Sequence, residues 1–337
     1  MANLDRFFEP DGWQQGSFTS ATGRSIRYGH AEPEGDKKGT VVITTGYADF
    51  IEAYHETIQE YLGRGYAVWM MDWAGQGGSE KSAGPPMKGQ TIFDHINDLQ
   101  QFRDTIVKAD ADKPVFLSTH SMGGQVALHF TQKNPDAFDG AILATPLVQM
   151  RVTPDEKNRL RAMFNTSVEN GFGDQLIPGG RRKATRALTA ERKGLRDDNP
   201  LRMNLHKTFM LLNDKLKAEE PTIAWSNSLV IATDKANDPA FLKSISTPVL
   251  FGIGVEDDVV DNTSILRASL LMPHAEAAQI KGGTHGLWID RDAQRADWWS
   301  HVDGFLKKCH LTFDAKHAPP APPAVPPSPP AQGIQPC

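Results

Sequence analysis

The sequence predicts an α/β protein, a mostly parallel, doubly wound sheet with helices on both faces and a helical cap inserted into it. Three observations carry that prediction. Short continuous apolar runs alternate with helical stretches, which is how parallel strands covered on both faces read. The alternation breaks off over 147–239 and resumes at Thr247-Pro248-Val249-Leu250-Phe251-Gly252. Before the break, Pro114-Val115-Phe116-Leu117 leads into Thr119-His120-Ser121-Met122-Gly123-Gly124 and a helical stretch, placing a serine on a tight strand-to-helix turn.

Gly16 to Glu32 alternates polar and apolar residues around Thr22-Gly23-Arg24, a β-hairpin at a sheet edge. Thr40-Val41-Val42-Ile43-Thr44 and Tyr66-Ala67-Val68-Trp69-Met70-Met71 read as buried strands, separated by a helix over 51–62 that Gly63 and Gly65 close. A helix over 91–108, the serine-bearing strand with its helix, and a strand at Gly140-Ala141-Ile142-Leu143-Ala144 complete the first part. After the mostly helical middle come the strand at 247–252, a last strand at 277–280 and an amphipathic helix over 292–308. The strands on either side of the break complete one sheet. The chain therefore divides into a first core part, 1–146, an inserted helical cap, 147–239, and a second core part, 240–314. The Pro-rich stretch 315–337 has nothing to bury and reads as a disordered, polyproline-like tail, a passive extension rather than a docking site for a proline-reading domain.

With 337 residues, 39% of them hydrophobic, the chain can bury a full core. A net charge of −5 without basic, aromatic-laced modules argues against a nucleic-acid binder. Cys309 and Cys337 form no metal-ligand spacing, so neither a disulfide framework nor a zinc site is expected, and nothing calls for a cofactor or metal. The N-terminus carries charge at once and lacks a signal-peptide pattern, and no apolar stretch reaches membrane-spanning length. The expected location is the cytoplasm, with peripheral membrane contact as an alternative.

A serine hydroxyl is a weak nucleophile unless a base takes its proton and N–H donors stabilise the oxyanion. The corner at Ser121 offers both, by lifting the side chain out of the sheet and aiming a helix N-terminus at the reacting carbon. Small residues are needed where strand and helix pass closely, which accounts for Gly123 and Gly124. Thr119, β-branched, crowds the corner and predicts a slightly relaxed turn. On this type of scaffold the partners come in the order serine, acid, histidine. Val255-Glu256-Asp257-Asp258-Val259-Val260-Asp261, after the strand that resumes the sheet, supplies four competing acids, and the residues alone leave Glu256, Asp257 and Asp258 open. His285, in Gly282-Gly283-Thr284-His285-Gly286 after the last strand, is the expected base; His274 and His310 read as bland. The expected oxyanion donors are the backbone N–H groups of Met122 and of Tyr47, with Gly46 letting the backbone approach. Gly46 and His120 are expected to border the substrate. Asp72-Trp73-Ala74-Gly75-Gln76-Gly77-Gly78-Ser79 reads as a glycine-shaped loop beside the site rather than part of the chemistry.

Together, Thr45-Gly46-Tyr47, Asp72 to Ser79, His120-Ser121-Met122-Gly123-Gly124, Asp257-Asp258-Val259-Val260 and Gly283-Thr284-His285 resemble the α/β-hydrolase superfamily, and within it the monoacylglycerol lipase and bacterial lysophospholipase group. The resemblance runs from about Gly16 to Leu306, and Pro221-Thr222-Ile223-Ala224-Trp225 resembles the lysophospholipase branch. It departs at Thr45, where the group usually has histidine, and at Thr119, where it has glycine. It implies an α/β-hydrolase fold. It also implies Asp257 as the acid, because an acid, one residue and a Val-Val pair is the pattern of related hydrolases. The implied activity is cofactor-independent hydrolysis of carboxylic esters through an acyl-enzyme, with lysophospholipids or monoacylglycerols as substrates. The alternatives are a peptidase or acyltransferase on the same scaffold and a non-catalytic ligand receptor.

Between Arg151 and Lys217, fifteen Lys and Arg stand against eight Asp and Glu. Arg181-Arg182-Lys183 with Arg186, Arg192, Lys193, Arg196 and Arg202 would hold a phosphate head group or rest on an anionic bilayer; a solvated helical face is the competing reading. Leu160, Met163, Phe164 and Phe209 to Leu212 would form an acyl slot, or the underside of the cap.

Overall fold

The computed structural model describes residues 4–83, 87–177 and 200–317. An eight-stranded sheet runs in the order β1-β2-β4-β3-β5-β6-β7-β8: β1 (Gln14–Thr19), β2 (Ser25–Ala31), β3 (Gly39–Thr44), β4 (Tyr66–Met71), β5 (Val115–His120), β6 (Gly140–Ala144), β7 (Val249–Gly254) and β8 (Ala275–Ile280). β2 pairs antiparallel with both β1 and β4, and every later pairing is parallel. β6 pairs with β7 across the inserted stretch, so the break in sequence is no break in the sheet.

The parallel strands are apolar on both faces because side chains alternate across the pleat. Val42, Trp69, Leu117 and Leu143 enter a core under α2 (Ile92–Gln101) and α3 (Met122–Lys133). Val41, Val68, Phe116 and Ile142 enter the other, under α1 (His55–Gly63). Helix 51–62 begins as a 3-10 turn, Ile51–Tyr54, and helix 91–108 ends as a wide π-type turn, Phe102–Ile106.

Within 147–239, α4 (Pro154–Glu169) opens on a reciprocal capping box between Thr153 and Glu156 with proline in the first turn. α5 (Pro200–Leu212) and α6 (Ile223–Ala236) come next. Phe164, Ile223 and Val230 form a small cluster of their own, but Trp225, Ala232 and Ala236 of α6 belong to the main core. The last helix of the insertion is thus shared between cap and sheet. The short α7 (Pro239–Lys243) and α8 (Asn262–Leu271) precede β8, and α9 (Asp292–His317) closes the structure on the α1 face with Trp298, Val302 and Phe305. It runs past 308 and past the boundary at 315, with Phe313 still buried and stacked on His317. The remainder of the Pro-rich stretch, and the basic run from Arg181 to Arg196, lie outside the described residues.

Candidate functional site

Ser121 stands between β5 and α3 with φ 49° and ψ −114°, a conformation unfavourable for an L-residue and held by its surroundings. Its N–H donates to Ala144 O at 3.1 Å and its carbonyl accepts from Leu147 N at 2.9 Å. The turn is therefore sharp, not relaxed as the crowding at Thr119 predicts. Across the corner the tight approach is to Pro146: an added Cβ on Gly124 would sit 2.4 Å from Pro146 Cβ, while Thr119 Oγ1, at 3.5 Å, is in ordinary contact. A Cβ on Gly123 would stand 2.6 Å from Thr45 O, which is how closely α3 approaches the loop after β3.

Three distant segments meet at this serine. His285 Nε2 lies 2.9 Å from Ser121 Oγ, and His285 Nδ1 lies 2.8 Å from Asp257 Oδ2. Asp257 is buried, and its other oxygen accepts the N–H groups of Val259 (2.8 Å) and Val260 (3.1 Å). The Val-Val pair anchors the loop through its backbone as well as through buried Val260. The competing acids go elsewhere: Glu256 and Asp258 are exposed, and Asp261 caps α8 through Thr263 N and Ser264 Oγ.

The N–H of Met122, at the first position of α3, has no acceptor within its helix. Tyr47 lines the cavity over Ser121, its hydroxyl donating to Glu219 O at 2.7 Å and its ring 5.5 Å from that of Trp225. Gly46 is needed for close approach: a Cβ there would be 2.8 Å from His120 Nδ1 and 3.3 Å from Ser121 Cβ. The loop after β4 braces this corner from behind. Gln76 accepts from Ala48 N, Trp73 Nε1 donates to Thr45 O, and buried Asp72 accepts from Ile51 N and Gly78 N. Those contacts match the loop-shaping reading of Asp72 to Ser79.

His120 lines the cavity, but both ring nitrogens are engaged by the protein: Nε2 with His285 O at 2.9 Å and Nδ1 with Asp49 Oδ2 at 3.2 Å. It positions the His285 loop rather than offering a polar atom to substrate. Thr145 Oγ1 donates to the same carbonyl at 2.6 Å. Asp49 also accepts from Tyr54 Oη at 3.0 Å and faces His206 of α5 at 3.3 Å. Burial works against the Asp49 carboxylate, yet the hydrogen bonds from His120 and His206 outweigh it and hold its pKa far below the ordinary range. Burial likewise disfavours the His120 imidazolium, and Asp49 more than offsets that, raising its pKa. The sequence did not single out Asp49, Thr145 or His206 because their contacts join segments with no fixed spacing between them.

Arg202 is not available to a ligand. It is buried, makes two contacts with Glu56 (2.6 and 2.7 Å), and reaches Asp292 Oδ1 and Asp290 O. Asp290 in turn accepts the N–H of Thr284, the neighbour of His285. Of the apolar residues proposed for a slot, Leu160, Phe164 and Met210 line a cavity of about 540 Å³ over Ser121, with Trp225, Leu229 and Val230. Phe209 packs instead against Phe50 and His55, and Met163, Leu211 and Leu212 are exposed. Among the described residues no His, Cys, Asp and Glu cluster fits a metal ion, and no helix is long and apolar enough to cross a membrane.

The chain is 21% identical over 286 residues to the probable lysophospholipase L2 of Haemophilus influenzae, covering 83% of this chain and 88% of that protein. It is 30% identical over 129 residues to human monoglyceride lipase, covering 38% of this chain and 42% of the relative. In structure it is similar to a soluble variant of the Saccharomyces cerevisiae monoglyceride lipase in complex with a substrate analogue, with TM-score 0.71, 17% identity, and 92% of this chain and 100% of the other covered. The profile of the Hydrolase_4 family, described as serine aminopeptidase, S33, matches residues 35–292, and the chain belongs to that family, a serine hydrolase with the α/β-hydrolase fold.

Proposed function

We propose that this serine ester hydrolase cleaves the carboxylic ester of a single-chain lipid, a monoacylglycerol or lysophospholipid, with Ser121 as nucleophile, His285 as base and Asp257 as the acid that orients it. The observation that carries this reading is the apolar cavity of about 540 Å³ opening directly over Ser121. It is long on methylene-binding surface and short on polar groups, which suits one acyl chain. His285 Nε2 takes the Ser121 proton as Oγ attacks the ester carbonyl, while Asp257 fixes the tautomer and stabilises the imidazolium. The tetrahedral oxyanion receives the N–H groups of Met122 and Tyr47. Collapse expels the alcohol with the proton from His285, and water, deprotonated by the same imidazole, releases the acid.

The family description favours examining a peptidase reading beside this one. An aminopeptidase must bind the substrate ammonium with a carboxylate. Asp49 is already occupied by His120, Tyr54 and His206, and the other carboxylate at the cavity, Asp258, is exposed to solvent, where a single ion pair contributes little. The names of the relatives, lysophospholipase and monoglyceride lipase, support the ester reading. Peripheral membrane contact is supported by Leu211 and Leu212, 80% and 79% exposed at the end of cap helix α5. The test is release of free acid from p-nitrophenyl esters of rising chain length, a monoacylglycerol and a lysophosphatidylcholine, with Ser121→Ala as the blank. Turnover of the long-chain lipids is the expected result; cleavage of amino-acid p-nitroanilides alone would overturn it.

A further inference from the structure

Of the lysines and arginines in the described residues, Lys207 alone lines the cavity over Ser121. The other described basic residues of the insertion that border the fold are already engaged. Arg151 donates to Asp257 O, Lys157 and Arg161 pair with Asp234, and Arg202 is buried against Glu56. Lys207 pairs with no carboxylate among the described residues. Asp49, on the same cavity wall, has Oδ2 engaged by His120 and Tyr54 and Oδ1 facing His206, the residue before Lys207.

The position of Lys207 is fixed by its helix. Arg202 clamps the start of α5 to Glu56 and Asp290, and the His206 ring lies 4.6 Å from Phe50 while its Nε2 faces Asp49. One residue further on, the half-buried Lys207 lines a partly enclosed space with Met210 and Leu160 in its walls. An anion brought within reach of this ammonium forms a charge-assisted contact, which apolar walls strengthen relative to bulk water. The anion must arrive with the substrate. Asp49 touches His120, the neighbour of Ser121, so the His206 end of the cavity adjoins the reacting ester. In a lysophospholipid the glycerol backbone keeps the phosphate close to that ester, on the side away from the acyl chain.

Resting on the ester-hydrolase reading, we propose that Lys207 determines head-group specificity: its ammonium receives the phosphate of a lysophospholipid and makes single-chain phospholipids better substrates than neutral monoacylglycerols. A lysine suits this task because a compact ammonium with three rotatable donors accepts a phosphodiester oxygen from several directions.

The experiment compares 1-oleoyl-lysophosphatidylglycerol with 1-oleoylglycerol, both in the same nonionic micelles, for the wild type, Lys207→Gln and Lys207→Arg. Lys207→Gln is expected to lower kcat/KM on the lysophospholipid by about ten- to a hundredfold, mostly through KM, and to leave the monoacylglycerol within about twofold. Lys207→Arg retains most of the lysophospholipid activity. Equal losses on both lipids, or no loss on either, overturn the assignment of Lys207 while leaving the ester reading intact. So does a wild type that cleaves only the monoacylglycerol. A wild type inactive on both lipids overturns the ester reading itself, and this inference with it.

Discussion

The loops that carry Ser121, Asp257 and His285 and the cap helix that roofs them are held in opposite ways. Around the serine the loops are tied by short hydrogen bonds within the core: Asp257 with two backbone N–H groups, His285 O with His120 and Thr145, Thr284 N with Asp290. Helix α5 has few backbone ties to the sheet and is fastened chiefly by side chains, Arg202 on Glu56 and His206 toward Asp49. The proposed chemistry rests on loops that follow directly on the ends of β5, β7 and β8. Substrate selection is assigned to an element with few tethers, whose loss leaves the sheet intact. The two sets meet at Asp290, which touches Arg202 with its carbonyl and Thr284 with its carboxylate.

The comparison breaks most sharply at the nucleophile. Ser121→Ala is expected to fold with an unchanged melting temperature and lose roughly 10⁴- to 10⁶-fold in kcat, the scale of removing a triad member. A variant that keeps a tenth of the wild-type rate, after active-site titration excludes contamination, would place the chemistry elsewhere. Next in size is Gly123→Ala. Its Cβ would meet Thr45 O at 2.6 Å, pushing apart the two segments that supply Met122 N–H and Tyr47 N–H. The expected cost is about 1–3 kcal/mol in stability and about a hundredfold in kcat, the scale of losing one oxyanion donor. Preserved kcat with lowered stability would show that Thr45 yields without disturbing the donors.

On the cap side the effect should move from kcat to KM. Arg202→Met removes the clamp, but Glu56 retains Arg6 at 3.4 Å and Arg295 at 3.5 Å, so the buried carboxylate is not stranded. We expect a loss of no more than about 3 kcal/mol, at the low end for breaking a buried pair. Hydrogen exchange should quicken over 200–212, and KM for long-chain esters should rise several-fold with kcat little changed. A fall in kcat of the size expected for Gly123→Ala would mean that Arg202, through Asp290, sets the His285 loop and that the two regions are one unit.

The core was more legible in the sequence than the cap for the same physical reason. Buried parallel strands must be continuously apolar, and a strand-to-helix corner must be small where two segments pass closely, so Val41 to Thr44, Tyr66 to Met71 and Gly123 announce themselves. Asp257 could be chosen among four acids only by resemblance, because what distinguishes it is the backbone of Val259 and Val260 folding back onto its oxygen. Arg202 stayed open between a head-group cation and a solvated face, since charge alone cannot tell either from a clamp; its partner Glu56 lies 146 residues away. Separation along the chain also hid Asp49 and its pairing with His120, which requires β3 and β5 to lie side by side. Thr119 misled because the tight approach at the corner falls on Gly124 and Pro146, 2.4 Å from an added Cβ, and not on Thr119, which is in ordinary contact at 3.5 Å.

Asp49 and His120 also give the core a pH signature. A depressed carboxylate stabilises the fold above its ordinary pKa and loses that contribution as pH falls; a raised imidazole stabilises it below its ordinary pKa and loses it as pH rises through the raised value. The pair therefore contributes fully between the ordinary values of 3.8 and 6.5, and the imidazole part fades above 6.5 as pH rises through its raised pKa. Asp49→Asn should lower the His120 pKa, read by NMR titration of the ring, and flatten the alkaline limb of melting temperature against pH. An unmoved His120 pKa would assign its shift to His285 O instead.

The smallest effect is expected at the C-terminus, the region farthest in kind from the catalytic loops. Phe313 is the last buried side chain of α9, and His317 Nδ1 is tied back to Phe313 O at 2.9 Å, so the helix closes on itself at His317. Residues 318–337 are mostly proline and alanine, with Val325 and Ile334 as the larger apolar side chains, too little to bury a useful area on the body. Deleting them should leave melting temperature within about 1 °C, since a loss of well under 1 kcal/mol corresponds to no more than a degree or two in a domain of this size, and kcat and KM unchanged on every ester. A drop of several degrees would require the stretch to dock on the body. A change in KM alone, with stability intact, would locate its contact at the mouth of the cavity beside α5 and add a further tether to that helix.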